Sequence, residues 1–203
     1  LESCGVKVRM SEDFKHIEVD GPTKIKAFDK VIPSDWEAVA FPLIAALITD
    51  SEITIDNVDL SGTQGDEAIV EVLKSLGADI ELDKQICSLK VHGGTKASNG
   101  TGRLSTELLK NKELHVNLSG FPDAVCALAA VSCFVEGTVF IEDIGVCRRK
   151  ETDRIKVLKS ELEKLGAQVE EGEDFLVIKG HSPVLADGKP NPEFVLHGAE
   201  VES

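Results

Sequence analysis

The chain has 203 residues, of which 42% are hydrophobic and 29% charged, enough apolar mass for one medium domain or two small ones. With 36 acids against 22 bases the net charge is −14. That balance argues against general binding to nucleic acid or to an anionic membrane, where phosphate would be repelled, but it leaves room for a small anion held by a local basic cluster.

The longest apolar run, Ala38 to Ile48, has eleven residues and contains Pro42. A bilayer span needs about 20, so no transmembrane helix is expected. Leu1-Glu2-Ser3-Cys4-Gly5 has neither the basic start nor the apolar run of a signal peptide, and the absence of an initiating Met suggests a fragment or a processed chain. The five cysteines, at 4, 87, 126, 133 and 147, are scattered and form no Cys-x-x-Cys pair. A disulfide framework or zinc site is not expected, and a reducing cytoplasm suits them. Cys126 and Cys133 read as small buried hydrophobes of an apolar helix.

In chain order, Leu1 to Gly21 reads as the end of a repeat: Val6-Lys7-Val8, a turn, then Ile17-Glu18-Val19. Lys26 to Ile32 is predicted as a strand. Ser34-Asp35-Trp36-Glu37-Ala38 opens an Ala-rich helix that ends at Asp50-Ser51-Glu52, and Ile53 to Val58 alternates as a half-buried strand. Gly62-Thr63-Gln64-Gly65-Asp66 matches no phosphate-binding P-loop, lacks its Lys, and reads as an ordinary strand-to-helix turn. An amphipathic helix ends at Leu76-Gly77-Ala78, a hairpin follows, and Thr95 to Thr106 is predicted as a mobile loop. The order then repeats. Glu113 to Leu118 is a strand, Pro122-Asp123-Ala124 opens a second Ala-rich helix, and Glu136-Gly137-Thr138 turns into the strand Val139 to Ile144. Ile155, Leu158, Leu162 and Leu165 mark an amphipathic helix ending in Leu165-Gly166-Ala167 before a second hairpin. Phe194 to Leu196 is predicted to start a further copy.

The fold class is therefore α/β, built from repeated β-α-β-α-β-β units and incomplete. Residues 1–32 are the tail of a preceding repeat or lobe, 33–93 and 113–181 are two copies, and 193–203 begins another.

The densest charge lies in Arg148-Arg149-Lys150-Glu151-Thr152-Asp153-Arg154, four bases and two acids. If this window begins a helix, Lys150 and Arg154 are i,i+4 and Glu151 and Arg154 i,i+3, so the three share a face. Bases at a helix start oppose the macrodipole, a placement that suits an anion site; a solvated, salt-bridged first turn is the other reading. Asp123 and its counterpart Asp35 read either as helix-starting acids or as site residues. No metal-ligand cluster, Gly-x-Ser-x-Gly or His-x-x-x-His appears, and none of the five histidines is assigned a role. No metal and no cofactor is expected.

The run Arg148 to Ile155, with its Lys150-Glu151-Thr152-Asp153-Arg154 motif, Leu165-Gly166-Ala167, and Pro122-Asp123-Ala124 before an Ala-rich helix, resembles the EPSP synthase family across essentially the whole chain. The resemblance implies the enolpyruvyl transferase fold, two inside-out α/β barrel lobes of three repeats each with the site in the cleft between them. It implies that this chain holds most of one lobe and lacks the N-terminal lobe and the C-terminal end, and that it is inactive alone. It implies phosphoenolpyruvate and shikimate 3-phosphate as substrates, in the shikimate pathway to chorismate and the aromatic amino acids. The location implied is the cytoplasm, or a plastid if the source is a plant.

Carried over residue by residue, the resemblance makes Asp123 the base near the attacking hydroxyl and Glu151 the acid that protonates C3. Lys150 contacts the shikimate substrate and Arg154 clamps the phosphoenolpyruvate carboxylate; Asp35 is a second-line candidate. Two departures stand out. Val146 occupies a position where many members carry Asn, removing a side-chain hydrogen bond, and Arg149 replaces an often apolar residue. A UDP-N-acetylglucosamine enolpyruvyl transferase-like enzyme and a non-catalytic repeat binding domain are the alternatives.

Overall fold

The computed structural model describes residues 1–93 and 103–202. The chain divides into two compact units, Leu1–Ile32 and Pro33–Ser203.

In the first unit β1 (Val8–Met10) and β2 (Ile17–Val19) form an antiparallel hairpin with Arg9 opposite Glu18. The Arg9 guanidinium reaches Glu18 Oε2 at 2.9 Å and Asp20 Oδ1 at 2.7 Å. Lys26–Ile32, predicted as a strand, is not one: Phe28 and Val31 are exposed. A strand needs a neighbour for its ladder. Here the two hairpin strands pair with each other, and Lys26 N–H donates to Cys4 O at 3.3 Å instead.

The second unit holds the two copies. In the first, α1 (Trp36–Ile48) leads to β3 (Ile53–Asp56), α2 (Ile69–Ser75) and the hairpin β4 (Ile80–Asp83) and β5 (Ser88–Val91). The sheet runs β3-β5-β4, all antiparallel. In the second, β6 (Glu113–Asn117) leads to α3 (Val125–Ser132), β7 (Gly137–Glu142), α4 (Arg154–Lys164), β8 (Gln168–Glu171) and β9 (Leu176–Gly180). Its sheet runs β6-β7-β9-β8, with β6 parallel to β7 across the α3 crossover. In the first copy only an isolated parallel bridge, Ser34 with Val58, marks the place that β6 fills in the second.

Helices α1 and α3 carry almost no charge and pack on each other, as helices apolar on most sides must. Trp36, Leu43, Leu128 and Val131 are fully enclosed, and Pro42 falls on the exposed side of α1 beside Phe41 and Ala45. The sheets add alternate residues, Val139 and Ile141 from β7 and Leu176 and Ile178 from β9. Truncating one such side chain to Ala costs about 2–5 kcal/mol.

Both Leu-Gly-Ala sequences close their helices as the glycine predicts. Gly77 and Gly166 take φ of 97° and 93°. In each, the glycine N–H donates to the carbonyl three residues back (Lys74, 2.9 Å; Glu163, 3.0 Å), and the alanine N–H to the carbonyl five back (Leu73 and Leu162, 3.0 Å each).

Two further expectations are corrected. Of the predicted mobile loop, residues 95–102 lie outside the described residues, whereas Leu104, Ser105 and Thr106 are buried, with Ser105 bridged to Glu136. Phe194–Leu196 forms no strand. Phe194 packs on Phe134 at 5.5 Å between ring centroids, and His197 N–H donates to Leu165 O at the end of α4, so this backbone is tied to a helix terminus rather than a sheet.

Candidate functional site

The basic segment does not start a helix at Lys150. Gly145–Arg149 is a short 3-10 turn, Lys150 is extended, and α4 begins at Arg154 with Asp153 as its cap, accepting from Lys156 N–H at 3.1 Å. The helical spacing expected for Lys150, Glu151 and Arg154 is thus corrected. The reason is that the cap carboxylate sits at 153, which a helix beginning at 150 would forbid.

Arg148 explains the segment's shape. Its guanidinium binds Asp153 Oδ2 at 2.8 Å and Glu171 Oε2 at 2.9 Å, and its Nε donates to Glu173 O at 2.8 Å. One side chain therefore ties the α4 cap to the β8–β9 hairpin. Arg148 is a structural fork, and Arg149 is exposed.

The remaining charges converge nonetheless. Asp123, in the Pro122–Ala124 turn before α3, accepts Lys150 Nζ at 2.8 Å and Arg154 Nη1 at 2.9 Å on the same oxygen. Arg154 Nη2 reaches both Glu151 oxygens, at 3.0 and 3.1 Å. Two carboxylates are thus joined through one guanidinium on a single surface. Arg154 is mostly enclosed, whereas the Glu151 side chain is 71% exposed.

The protonation states follow. The hydrogen bond from Lys150 holds Asp123 below the usual carboxylate range, with Arg154 adding to it, and raises Lys150 in return. Glu151 is lowered by its own backbone N–H and then by Arg154. Both acids are ionised at neutral pH. Burial pushes the Cys126 and Cys147 thiols up despite the nearby cations, which leaves neither poised as a nucleophile; Cys133 is pushed up to about 12 by burial.

Asp35 stands apart from its counterpart. Its carboxylate accepts from Glu37 N–H at 3.2 Å and caps α1. Sequence reading missed two acids that the fold brings toward Asp123. Glu37 and Asp66 are both raised, first by burial and then by the negative charge of Asp123. Neither lies near Asp123 in the chain, though Glu37 follows Asp35 by two residues at a helix start. Val146, at the position often Asn, is exposed.

The fold also assembles Glu136, His181 and Glu193, a grouping with metal-ligand donors that no local spacing announces. His181 Nδ1 lies 3.3 Å from Glu136 and 3.5 Å from Glu193. The other Glu136 oxygen accepts from Ser182 N–H and Asn191 Nδ2, with Arg103 at 3.8 Å, so this carboxylate ties the α3–β7 turn to the 182–193 segment.

Comparison with known proteins bears on the whole chain. It is 32% identical over 202 residues to a 3-phosphoshikimate 1-carboxyvinyltransferase of Ruminiclostridium cellulolyticum, covering 100% of this chain and 40% of that protein. A relative of the same name from Methanopyrus kandleri is 35% identical over 191 residues, covering 92% of this chain and 39% of its own length. The chain thus spans about 40% of the curated relatives it matches. An EPSP synthase structure from Acinetobacter baumannii superposes on all of this chain and 43% of its own, with a TM-score of 0.72 at 22% identity, a likeness of fold. With the EPSP synthase family, 3-phosphoshikimate 1-carboxyvinyltransferase, matched along residues 1–203, this chain belongs to that family.

Proposed function

We propose that the protein of which this chain is a part transfers the enolpyruvyl group of phosphoenolpyruvate to the 5-hydroxyl of shikimate 3-phosphate, releasing phosphate. One observation carries the reading: Asp123, Lys150, Glu151 and Arg154 meet in one ion-pair network on one surface. In addition, the hydroxyl oxygen bonds to C2 of the enolpyruvyl group as its proton passes to Asp123, while C3 gains a proton from Glu151. In elimination, the C2–O bond to phosphate breaks, C3 returns a proton to Glu151 to restore the vinyl group, and the proton held by Asp123 leaves with the phosphate. Such a reaction needs two carboxyl groups in opposite roles and cations facing the substrate anions.

The ligand-free charge state suits Asp123 as the base, whereas Glu151, ionised there, must take up a proton before it can act as the acid. Arg154 offers a planar fork suited to a carboxylate. As the phosphoenolpyruvate carboxylate takes that fork, Glu151 loses one of the groups that keep it ionised and its affinity for a proton rises. Lys150 contacts the shikimate substrate and remains within reach of Asp123. Asp35, engaged as a helix cap, is the weaker candidate.

The net charge of −14 leaves four anionic substrate groups, a carboxylate and a phosphate on each substrate, under-compensated by this cluster, so the rest of the same enzyme, its N-terminal lobe and C-terminal end, supplies further cations. The chain alone binds either substrate weakly, in a salt-sensitive way, and does not turn over. The five free cysteines suit the cytoplasm. Phosphate-release kinetics on the complete protein, with shikimate 3-phosphate and with a UDP-sugar as acceptor, test the reading. Turnover with the UDP-sugar alone overturns the reaction, and turnover by the isolated chain overturns the need for the rest of the enzyme.

A further inference from the structure

A cluster of nitrogen and oxygen donors lies at the start of β7, whereas the basic segment follows that strand's end. Glu136 immediately precedes β7, His181 immediately follows β9, and Glu193 comes from the segment beyond. Gly137 pairs with Gly180, so Glu136 and His181 are neighbours across the end of the sheet. His181 Nδ1 lies 3.3 Å from Glu136 Oε1 and 3.5 Å from Glu193 Oε2. One donor atom from each of the three residues falls within 4.8 Å of the other two. His181 and Glu136 are half-buried, and the Glu193 side chain is exposed and able to turn inward.

These separations suit a shared cation better than a shared proton. An N–H···O bond favours about 2.9 Å. Donors on a tetrahedral Zn²⁺, with bonds of about 2.0–2.2 Å, stand about 3.3–3.6 Å apart. Glu136 also divides its oxygens. Oε2 accepts Ser182 N–H at 3.2 Å and Asn191 Nδ2 at 3.1 Å, and it is the oxygen that Arg103 approaches at 3.8 Å. Oε1 is the one turned to His181. Asn191 is buried, and its Oδ1 accepts Glu193 N–H at 3.0 Å. One amide therefore places the Glu136 carboxylate and the Glu193 backbone together, the kind of outer-shell support that orients metal ligands. An imidazole with two carboxylates suits Zn²⁺ and related first-row ions, whereas Mg²⁺ and Ca²⁺ prefer all-oxygen shells of six or more. We propose that Glu136, His181 and Glu193 bind a divalent transition-metal ion of the Zn²⁺ class, with water completing its shell. The ion clips the 182–193 segment to the α3–β7 turn.

The test uses the complete protein, stripped with a chelator and titrated with Zn²⁺ or Co²⁺ alone, as wild type and as His181→Gln, Glu193→Gln and Asn191→Ala. Against a competing chromophoric chelator, wild type should take up one Zn²⁺ more than either His181→Gln or Glu193→Gln. Bound Co²⁺ should give the strong visible absorption of a four-coordinate ion, and both of those variants should lose it. The melting temperature of wild type should rise with Zn²⁺ concentration by more than that of either variant, because the ion binds the folded state. Asn191→Ala removes only the support behind the ligands, so it should keep the Co²⁺ band and bind Zn²⁺ about 10- to 100-fold more weakly. Equal Zn²⁺ uptake and equal Co²⁺ spectra in wild type, His181→Gln and Glu193→Gln overturn the proposal and leave the cluster an ion-pair clip. If His181→Gln fails to fold, Glu193→Gln, at an exposed side chain, carries the same readouts. None of them is turnover, so failure of the enolpyruvyl-transfer reading would leave this test standing.

Discussion

The two copies place the same connection, from the strand after the Ala-rich helix to the next helix, in different electrostatic states. In the first copy the connection contains Asp59, Asp66 and Glu67 and no base; in the second Arg148, Arg149 and Lys150 balance Asp143, Glu151 and Asp153, and it runs into Arg154. The first closes around a carboxylate. Asp59 is held down to about 2 by hydrogen bonds from Ser61 and Gln64, and its backbone carbonyl accepts Trp36 Nε1–H at 2.6 Å. The second closes around the Arg148 guanidinium, which is fully engaged with Asp153, Glu171 and nearby carbonyls. An anion-centred turn consumes the local N–H donors. A cation-centred turn consumes carboxylates and leaves Lys150 and Arg154 to hold an anion from elsewhere, at present Asp123. The lesson is that one backbone plan serves as structure or as site according to the charge at its centre.

The comparison breaks most visibly at the matched acids. In the complete enzyme, Asp123→Asn and Glu151→Gln should each lower kcat by about 10²- to 10⁴-fold, the usual worth of general acid–base catalysis, with much smaller changes in KM. Asp35→Asn should leave turnover nearly intact because Asn still caps α1. Comparable losses at 35 and 123 would erase the distinction between the copies.

Next in size is Arg154→Lys. Losing the planar fork should weaken phosphoenolpyruvate binding about tenfold, the cost of one charge-assisted hydrogen bond, and leave shikimate 3-phosphate binding nearly unchanged. Calorimetry with each ligand checks this, and a loss confined to shikimate 3-phosphate would reassign the clamp.

A smaller effect separates the acids as caps. Asp35→Ala should cost about 1 kcal/mol in chemical denaturation. Asp123→Ala should instead show its stability cost in the pH dependence. Asp123 is depressed in the folded state, so its contribution is present above its unfolded pKa and lost as pH falls through the folded value. The variant should therefore lack that part of the acid-side loss.

The smallest expected effect has the opposite sign. Glu37 is raised by burial and by Asp123, so its contribution is present below its unfolded pKa and is lost as pH rises through the folded value. Glu37→Gln should slightly raise the melting temperature at neutral pH and leave it unchanged in acid. A uniform shift at both pH values would mean that Glu37 acts through packing rather than charge.

What the sequence by itself determined was local. Glycine after the last apolar turn closes α2 and α4 because only glycine reaches φ near 95° cheaply, and that is legible in Leu76-Gly77-Ala78 and Leu165-Gly166-Ala167. The apolar runs before Thr49 and Cys133 name buried helices, and the hairpins follow from alternation. The grouping of Asp123 with Lys150, Glu151 and Arg154 came from the family motif, while its geometry did not: helical spacing misplaced Lys150 and Glu151, because Asp153 caps the helix and Arg148 ties that cap to the β8–β9 hairpin.

Tertiary structure alone decided which of the short predicted strands ahead of each copy form and which acids become neighbours. Glu113–Asn117 pairs with β7, whereas Lys26–Ile32 and Phe194–Leu196 have comparable side chains and no ladder, since strand pairing depends on a partner that local sequence does not encode. Glu37 and Asp66 approach Asp123 only because α1 and the Gly65 turn pack on the Pro122–Ala124 turn. Electrostatic coupling depends on distance through space, and residues 57 and 86 positions apart in the chain give no local sign of it.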